Sequence, residues 1–412
     1  MSNEEKKMTY KTKTKMKLLE GIRVLDLTNV LSGPFASLHF ALLGAEVIKI
    51  EKPNDGDIAR KNGCVPEYNE RLMGTSFIAQ NANKKSVTLN LKDEKGKEIF
   101  KELTKTADVV IENFRPGVMK RLGLNYDVLK EVNSKIIYCA ISGFGQTGPD
   151  AKNPAYDQII QGLSGVMAIN GDERLNPLRT GFPVCDTVGG LNAAFSVMAA
   201  LYYREAKGEG QFIDVALLDS IMPLMGWLVS NWMIGGQPPV LVGNENFTTA
   251  PSGVFKSKDG HINIAANKQE QWERLVDLIE MPELKNDPRF IDREARIKHR
   301  DILRDILNKK IIKNNTDFWV ELLTENGIPA GHIIKLEDAL TAQQVKHRNT
   351  FSNIKVDGIG DVELFNTTAK FAKTPGKAEN PPPKLSEHTS EILGDIGYSD
   401  SDMKELKDKK II

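Results

Sequence analysis

Residues 180–194, TGFPVCDTVGGLNAA, place one carboxylate, Asp186, in a turn of small residues ahead of a long apolar stretch. A strand-like run ends at Asp186 and a helix is expected to begin beyond it, where free N–H groups and the positive dipole end converge. Such groups hold an aspartate ionised, and an ionised carboxylate can act as a nucleophile. Gly189 and Gly190 are expected to leave room for a ligand to approach the backbone. An ordinary helix N-cap, worth about 1 kcal/mol, accounts for the same residues, and the local sequence leans to it because Asp is a preferred cap.

Other chemistries lack their residues. The six histidines (39, 261, 299, 332, 347 and 388) are scattered, so they offer neither a metal cluster nor a Ser/His pair, and no metal is expected. HExxH and GxxxxGK[ST] do not occur, and the turn after the first strand, NVLSGP at 29–34, has one glycine where a dinucleotide site needs GxGxxG. Cys64, Cys139 and Cys185 are widely spaced with no CxxC pair, which argues against a disulfide framework and favours a reducing compartment.

Lys+Arg and Asp+Glu both number 55, so no nucleic-acid partner is implied. The most apolar stretches, 192–203 and 215–234, are short or interrupted by Asp219, Ser220 and Asn231, so no membrane span is expected. Residues 1–18 are lysine-rich without an apolar core; they read as a disordered tail rather than a secretory signal, and a cytoplasmic location is expected.

The elements that position Asp186 follow from periodicity. At 412 residues, 40% hydrophobic and 27% charged, the chain is long enough for two domains with proper cores. Strand-like runs at 22–27, 45–50, 86–91, 109–112, 136–142 and 211–216 alternate with helical patterns at 35–43, 95–104, 126–132 and 191–205. This is the signature of βαβ units and a parallel sheet, hence an α/β fold. Trp227, Trp232 and Trp272 mark a change of character, and residues 226–334 read as a second, smaller domain with its linkers. Strand-like runs at 332–334 and 362–365, a PPP turn at 381–383 and a short helix at 389–393 complete the chain.

Across residues 19–395 the chain resembles the class III CoA-transferases (the CaiB/BaiF family, with formyl-CoA:oxalate and carnitine CoA-transferases). The resemblance is carried by LEGIRVLDLT (19–28), GAEVIKIEKP (44–53), NKKSVTLNL (83–91), ADVVIENFRPG (107–117) and LGL (122–124). It continues in ISGFGQTGP (141–149), PAYDQIIQGLSG (154–165), GEGQFIDVALLD (208–219), GIPAG (327–331) and EHT (387–389). It implies a large Rossmann-like domain built from both chain ends (19–225 and 335–412), a small inserted domain, and an interlocked homodimer. It also implies that Asp186 is the nucleophile, forming a covalent aspartyl-CoA thioester, with no cofactor beyond coenzyme A as co-substrate. Tyr156 and Asp157 match the pair lining the same pocket.

By position the resemblance assigns CoA contacts to Leu31 and Ser32, to Lys52, to Leu89, Asn90 and Leu91, to Asn113, Phe114 and Arg115, and to Arg121. Lys52, Arg115 and Arg121 have the charge to meet phosphates. The racemase branch carries a histidine where this chain has Tyr156, a poor base at neutral pH with a pKa near 10. Transfer is therefore preferred over epimerisation. Leu31, Ser142 and Pro154 also depart from the formyl-CoA enzyme, as does GGQPPVLVGNENFTTAP (235–251), which lacks its four-glycine run. The expected substrates are an acetyl- or succinyl-CoA donor and a small carboxylic or dicarboxylic acid. Gly243, Asn244, Asn246 and Thr248 could supply neutral donors to the acceptor or form an ordinary polar turn. Arg179 is a candidate to orient a second carboxylate. An acyl-CoA epimerase using Asp157 and Asp186, and a non-catalytic CoA-binding protein, are the alternatives.

Overall fold

The computed structural model describes residues 17–412. The expected tail lies outside them except for Lys17 and Leu18, which form a turn where Lys17 pairs with Glu379. The chain divides into two compact units, described separately. One runs to Ser164 and adds Gly181–Gly226 and Lys346–Ile412; the other comprises Gly165–Thr180 and Trp227–Val345. The second unit thus takes in 165–180 and extends past 334, beyond the limits read from composition.

The first unit is built on a six-stranded parallel sheet: β1 (Arg23–Asp26), β2 (Glu46–Glu51), β3 (Lys85–Thr88), β4 (Val109–Glu112), β5 (Ile137–Ser142) and β6 (Phe212–Ala216). Its order is β3-β2-β1-β4-β5-β6, every pairing parallel. Strands covered on both faces need continuous apolar runs, and β4 and β5 are buried along their whole length. The order reverses between β1 and β4, and in doubly wound sheets ligands bind at that switch, outside the carboxyl ends of the strands. Helix Glu94–Thr104 packs Ile99, Phe100 and Leu103 into this core. Helices Thr389–Asp395 and Asp400–Asp408 return late in the sequence and add Ile392, Leu393, Met403 and Leu406.

Helix Val184–Lys207 begins well before the residue expected for it. Its 24 residues are long and apolar enough to cross a membrane by composition, a property hidden when only uninterrupted apolar runs are sought. Here Gly190 abuts helix Ser32–Leu42, a Cβ on it meeting the Ser32 carbonyl oxygen at 2.5 Å, while one on Gly189 would meet Leu217 at 2.2 Å. Both glycines serve helix packing. They do not open the backbone to a ligand.

Under the sheet's carboxyl edge lies a buried ionic layer. Lys84 meets Asp26 at 3.1 Å, Lys49 meets Asp57 at 3.0 Å, and Arg60 grips Glu51 through two nitrogens, each at 2.7 Å. Burial alone would discharge these groups; the partners outweigh it for Asp26, Asp57 and Lys49, whereas Lys84 is lowered to about 8.

The second unit holds a three-stranded antiparallel sheet, β7 (Ser252–Lys256), β8 (His261–Ala265) and β9 (Ala330–His332). Trp272, Phe290 and Trp319 anchor its core. Trp227 and Trp232 are exposed in helix Trp227–Gly235. A hairpin, β10 (Phe351–Val356) with β11 (Gly360–Phe365), belongs to the first unit.

Candidate active site

A cleft of about 930 Å³ opens in the first unit where β1 to β6 end. Its wall is assembled from the loops after the strands: Asn29–Ser32 after β1, Lys52–Asn54 after β2, Leu89–Lys92 after β3, Asn113–Pro116 after β4, Ser142 and Gly143 at the end of β5, and Leu217 after β6. Leu31, Ser32, Lys52, Leu89, Asn90, Leu91, Asn113, Phe114 and Arg115 all line it, together with Tyr156 and Asp186. Arg121 does not; it is exposed, and its neighbour Leu122 takes the place on the wall.

The loop after β1 is braced from beneath. Val30 adopts φ 69°, a conformation costly for a β-branched residue. Its N–H donates to Asp57 Oδ1 at 2.9 Å, and Asp57 is in turn held by Lys49. Asn113 exchanges two 2.8 Å hydrogen bonds with the Asn29 backbone, so its amide is spent on positioning this loop. Lys52 is paired with Asp55 on the rim.

Asp186 is the third residue of helix Val184–Lys207, whose N-cap position is Pro183. It is therefore not the cap. That work falls to Asp157, first residue of helix Asp157–Leu163, whose Oδ1 accepts the N–H groups of Cys185 at 2.8 Å and Asp186 at 3.3 Å. Gln161 donates to the other oxygen of Asp157 at 2.6 Å. Asp157 is buried and is not on the cleft wall. Burial, then the nearby Asp157 charge, raises the Asp186 pKa to about 7. The expected full ionisation of Asp186 is corrected by this: the helix N–H groups that would have held its charge are committed to Asp157.

Two further residues line the cleft. Tyr156 is 70% exposed. Ser142, last residue of β5, has a buried hydroxyl with no hydrogen-bond partner, an arrangement folded proteins rarely leave unanswered. Ser142 lies within the ISGFGQTGP segment and departs there from the formyl-CoA enzyme, but no periodicity marks it as a site residue. Lys92 and Lys410 also line the cleft and carry no motif.

In the second unit a shallower pocket of about 540 Å³ is lined by Gly243, Asn244 and Asn246, with Ser252 and Asn263. Thr248 is not on its wall; Asn246 Oδ1 accepts from the Thr248 N–H and hydroxyl, both at 2.8 Å, as in a polar turn. Arginines at helical spacing hold this loop. Arg293 donates to the Thr248 carbonyl at 2.7 Å, Arg296 to Ala250 at 2.9 Å and Arg300 to Asn246 at 3.1 Å, while Arg304 meets the Glu245 carboxylate at 2.8 Å. Arg179 lies exposed in the Gly165–Thr180 segment of this unit and is on neither pocket wall. Among the described residues, no group of three or more His, Cys, Asp or Glu is placed to hold a metal ion.

Comparison with known proteins gives a consistent set. Residues 19–389 match CoA-transferase family III. Human succinyl-CoA:glutarate CoA-transferase is 34% identical over 95% of this chain and 89% of its own length. The acetyl-CoA:oxalate CoA-transferase of Acetobacter aceti is 38% identical over 85% of this chain and 90% of its own. Among solved structures, a CaiB/BaiF family protein from Brucella suis superposes with a TM-score of 0.80 at 32% identity, covering 92% of this chain and 99% of that one. A protein from Mycobacterium tuberculosis gives 0.81 at 30% identity, covering 92% and 100%. A strand-end cleft with a carboxylate on its wall and a family match spanning nearly the whole sequence lead to one conclusion: the chain belongs to CoA-transferase family III and is a CoA-transferase.

Proposed function

We propose that the protein moves CoA from a succinyl-CoA or acetyl-CoA donor to a small carboxylic acid, with dicarboxylic acids foremost, through a thioester on Asp186. The observation that carries this reading is a carboxylate lifted to about 7 on the wall of the strand-end cleft. A more basic carboxylate is a stronger nucleophile, and about 7 leaves a large ionised fraction at neutral pH.

The chemistry balances without an external reagent. The Asp186 carboxylate attacks the donor thioester carbonyl, the C–S bond breaks, and a mixed anhydride and CoA thiolate form. The thiolate attacks the aspartyl carbonyl and releases the donor acid, leaving aspartyl-CoA. The acceptor carboxylate then attacks this thioester, giving a second anhydride and thiolate. Attack of that thiolate on the acceptor carbonyl yields the new acyl-CoA and restores Asp186. One thioester replaces another, so we infer no cofactor beyond CoA.

The loops Leu31–Ser32, Leu89–Leu91 and Phe114–Arg115 hold the CoA body, with Arg115 toward its phosphates. Gly243, Asn244 and Asn246, on a pocket of the second unit, offer neutral donors of the kind a carboxylate takes. An epimerase would need Asp157 in contact with substrate, whereas Asp157 is buried beneath the start of a helix.

We further infer an interlocked homodimer in the cytoplasm. Phe195 and Tyr202 on helix Val184–Lys207, and Trp227, Trp232, Met233 and Ile234 beyond it, are exposed apolar side chains of the sort a permanent interface covers. Incubation with succinyl-CoA or acetyl-CoA and a panel of acids, reading new acyl-CoA by chromatography, tests the reaction. Exchange with one or more dicarboxylic acids is expected. No new thioester from either donor with any acid would sink the substrate assignment.

A further inference from the structure

The cleft wall includes a cation outside residues 19–389, the stretch that matches the family: Lys410. Helix Asp400–Asp408 closes in a left-handed turn in which Lys410 N–H bonds the Lys407 carbonyl and Ile411 N–H the Leu406 carbonyl, each at 2.9 Å. Lys410 has φ 56°, where glycine is the usual choice. The next residue fixes the turn: Ile411 is buried in the same core as Leu89, and its carbonyl accepts the Asn90 N–H at 2.7 Å. Lys410 is thereby tied to the end of β3.

The sheet order says which part of a ligand meets it. Asp186, Tyr156 and Ser142 stand at the β5 side, and β3 is the far edge. Four strand spacings separate β3 from β5, about 19 Å at about 4.8 Å each. A CoA ester whose thioester lies against Asp186 reaches that edge with its opposite end, the adenosine carrying the 3′-phosphate. Lys52, on the same wall, is occupied by Asp55; among the described residues Lys410 forms no ion pair, nor does its neighbour on the wall, Lys92, and only Lys410 is fixed by the buried turn at Ile411. An unpaired ammonium beside a phosphate makes a charge-assisted bond.

We propose that Lys410 binds the 3′-phosphate of CoA, making the turn after helix Asp400–Asp408 part of the CoA site. This rests on the CoA reading above. The test is calorimetric titration of free CoA and 3′-dephospho-CoA into wild type, Lys410→Ala, Lys410→Gly and Lys410→Arg. Wild type is expected to prefer CoA by about tenfold or more, the range of one charged hydrogen bond. Lys410→Ala and Lys410→Gly lose that preference with 3′-dephospho-CoA binding unchanged, and Lys410→Arg keeps most of it. Lys410→Gly relieves the left-handed residue, so its melting temperature holds or rises and lost affinity cannot be unfolding. Equal weakening of both ligands, or of neither, overturns the proposal. Failure of wild type to bind CoA overturns the CoA reading itself.

Discussion

Asp157 Oδ1 accepts the backbone N–H of Asp186 at 3.3 Å and of Cys185 at 2.8 Å, so the carboxylate that receives the helix N-terminus is not the one on the cleft. The two aspartates divide what one residue was expected to do. Asp157 takes the helix N–H groups and the Gln161 amide, and its charge, added to burial, keeps a proton on Asp186 to about pH 7.

The rate should report that proton. Only ionised Asp186 attacks, so kcat/KM is expected to rise with pH through about 7 and then level off. Asp157→Asn keeps an acceptor oxygen for the helix but removes the repelling charge, so the midpoint should move down toward the ordinary carboxylate range. Glu112, which burial raises to about 8, titrates nearby; Glu112→Gln should leave the limb near 7 in place. A pH–rate profile of the three proteins checks this.

Stability should move the opposite way to activity. The folded-state pKa of Asp186 lies above its unfolded value of 3.8, so below about pH 4 both states are protonated and the group costs nothing. Between about 4 and 7 the unfolded chain ionises first and stability falls, reaching its full loss above 7. Asp186→Asn is expected to be inactive yet more stable than wild type at pH 8, by at most about 4 kcal/mol, with the gain vanishing near pH 4. Denaturant melts at both pH values measure it.

Ser142→Ala tests what an orphaned hydroxyl costs the fold. Removing a buried hydroxyl without a partner should leave the melting temperature unchanged or raised. Thermal melts of wild type and Ser142→Ala check it, and a clear fall would show that the hydroxyl has a partner in solution.

The arginine face at 293, 296, 300 and 304 predicts where the second unit is easily loosened. Arg300→Ala removes a charged donor from the Asn246 carbonyl and is expected to cost about 1 to 3 kcal/mol. Arg300→Lys, which keeps the charge, should recover part of that loss. Denaturant melts of the three proteins check it, and an unchanged midpoint for Arg300→Ala would contradict it.

Much of the sheet was legible because fully buried parallel strands are short apolar runs: the limits read for β4, 109–112, match the structure, and those of helix Tyr126–Val132 do likewise. The start of helix Val184–Lys207 was not, because its capping group comes from 157, far back in the chain, and no local residue announces it. Gly189 and Gly190 looked like a ligand approach because a small residue signals closeness without saying to what; the neighbours proved to be Leu217 and Ser32. The cleft residues carried by the family pattern fell on one wall, Arg121 excepted. Ser142, Lys92 and Lys410 carry no spacing signal, since separate parts of the chain bring them to the cleft.

The proposed transfer stands on the covalent link to Asp186, which intact-protein mass spectrometry detects directly. Wild type mixed with succinyl-CoA or acetyl-CoA should gain the mass of CoA less one water, lose it when an acceptor acid is added, and show no gain in Asp186→Asn. A wild-type protein that turns over yet never carries the adduct, or an Asp186→Asn protein that does, would contradict the account.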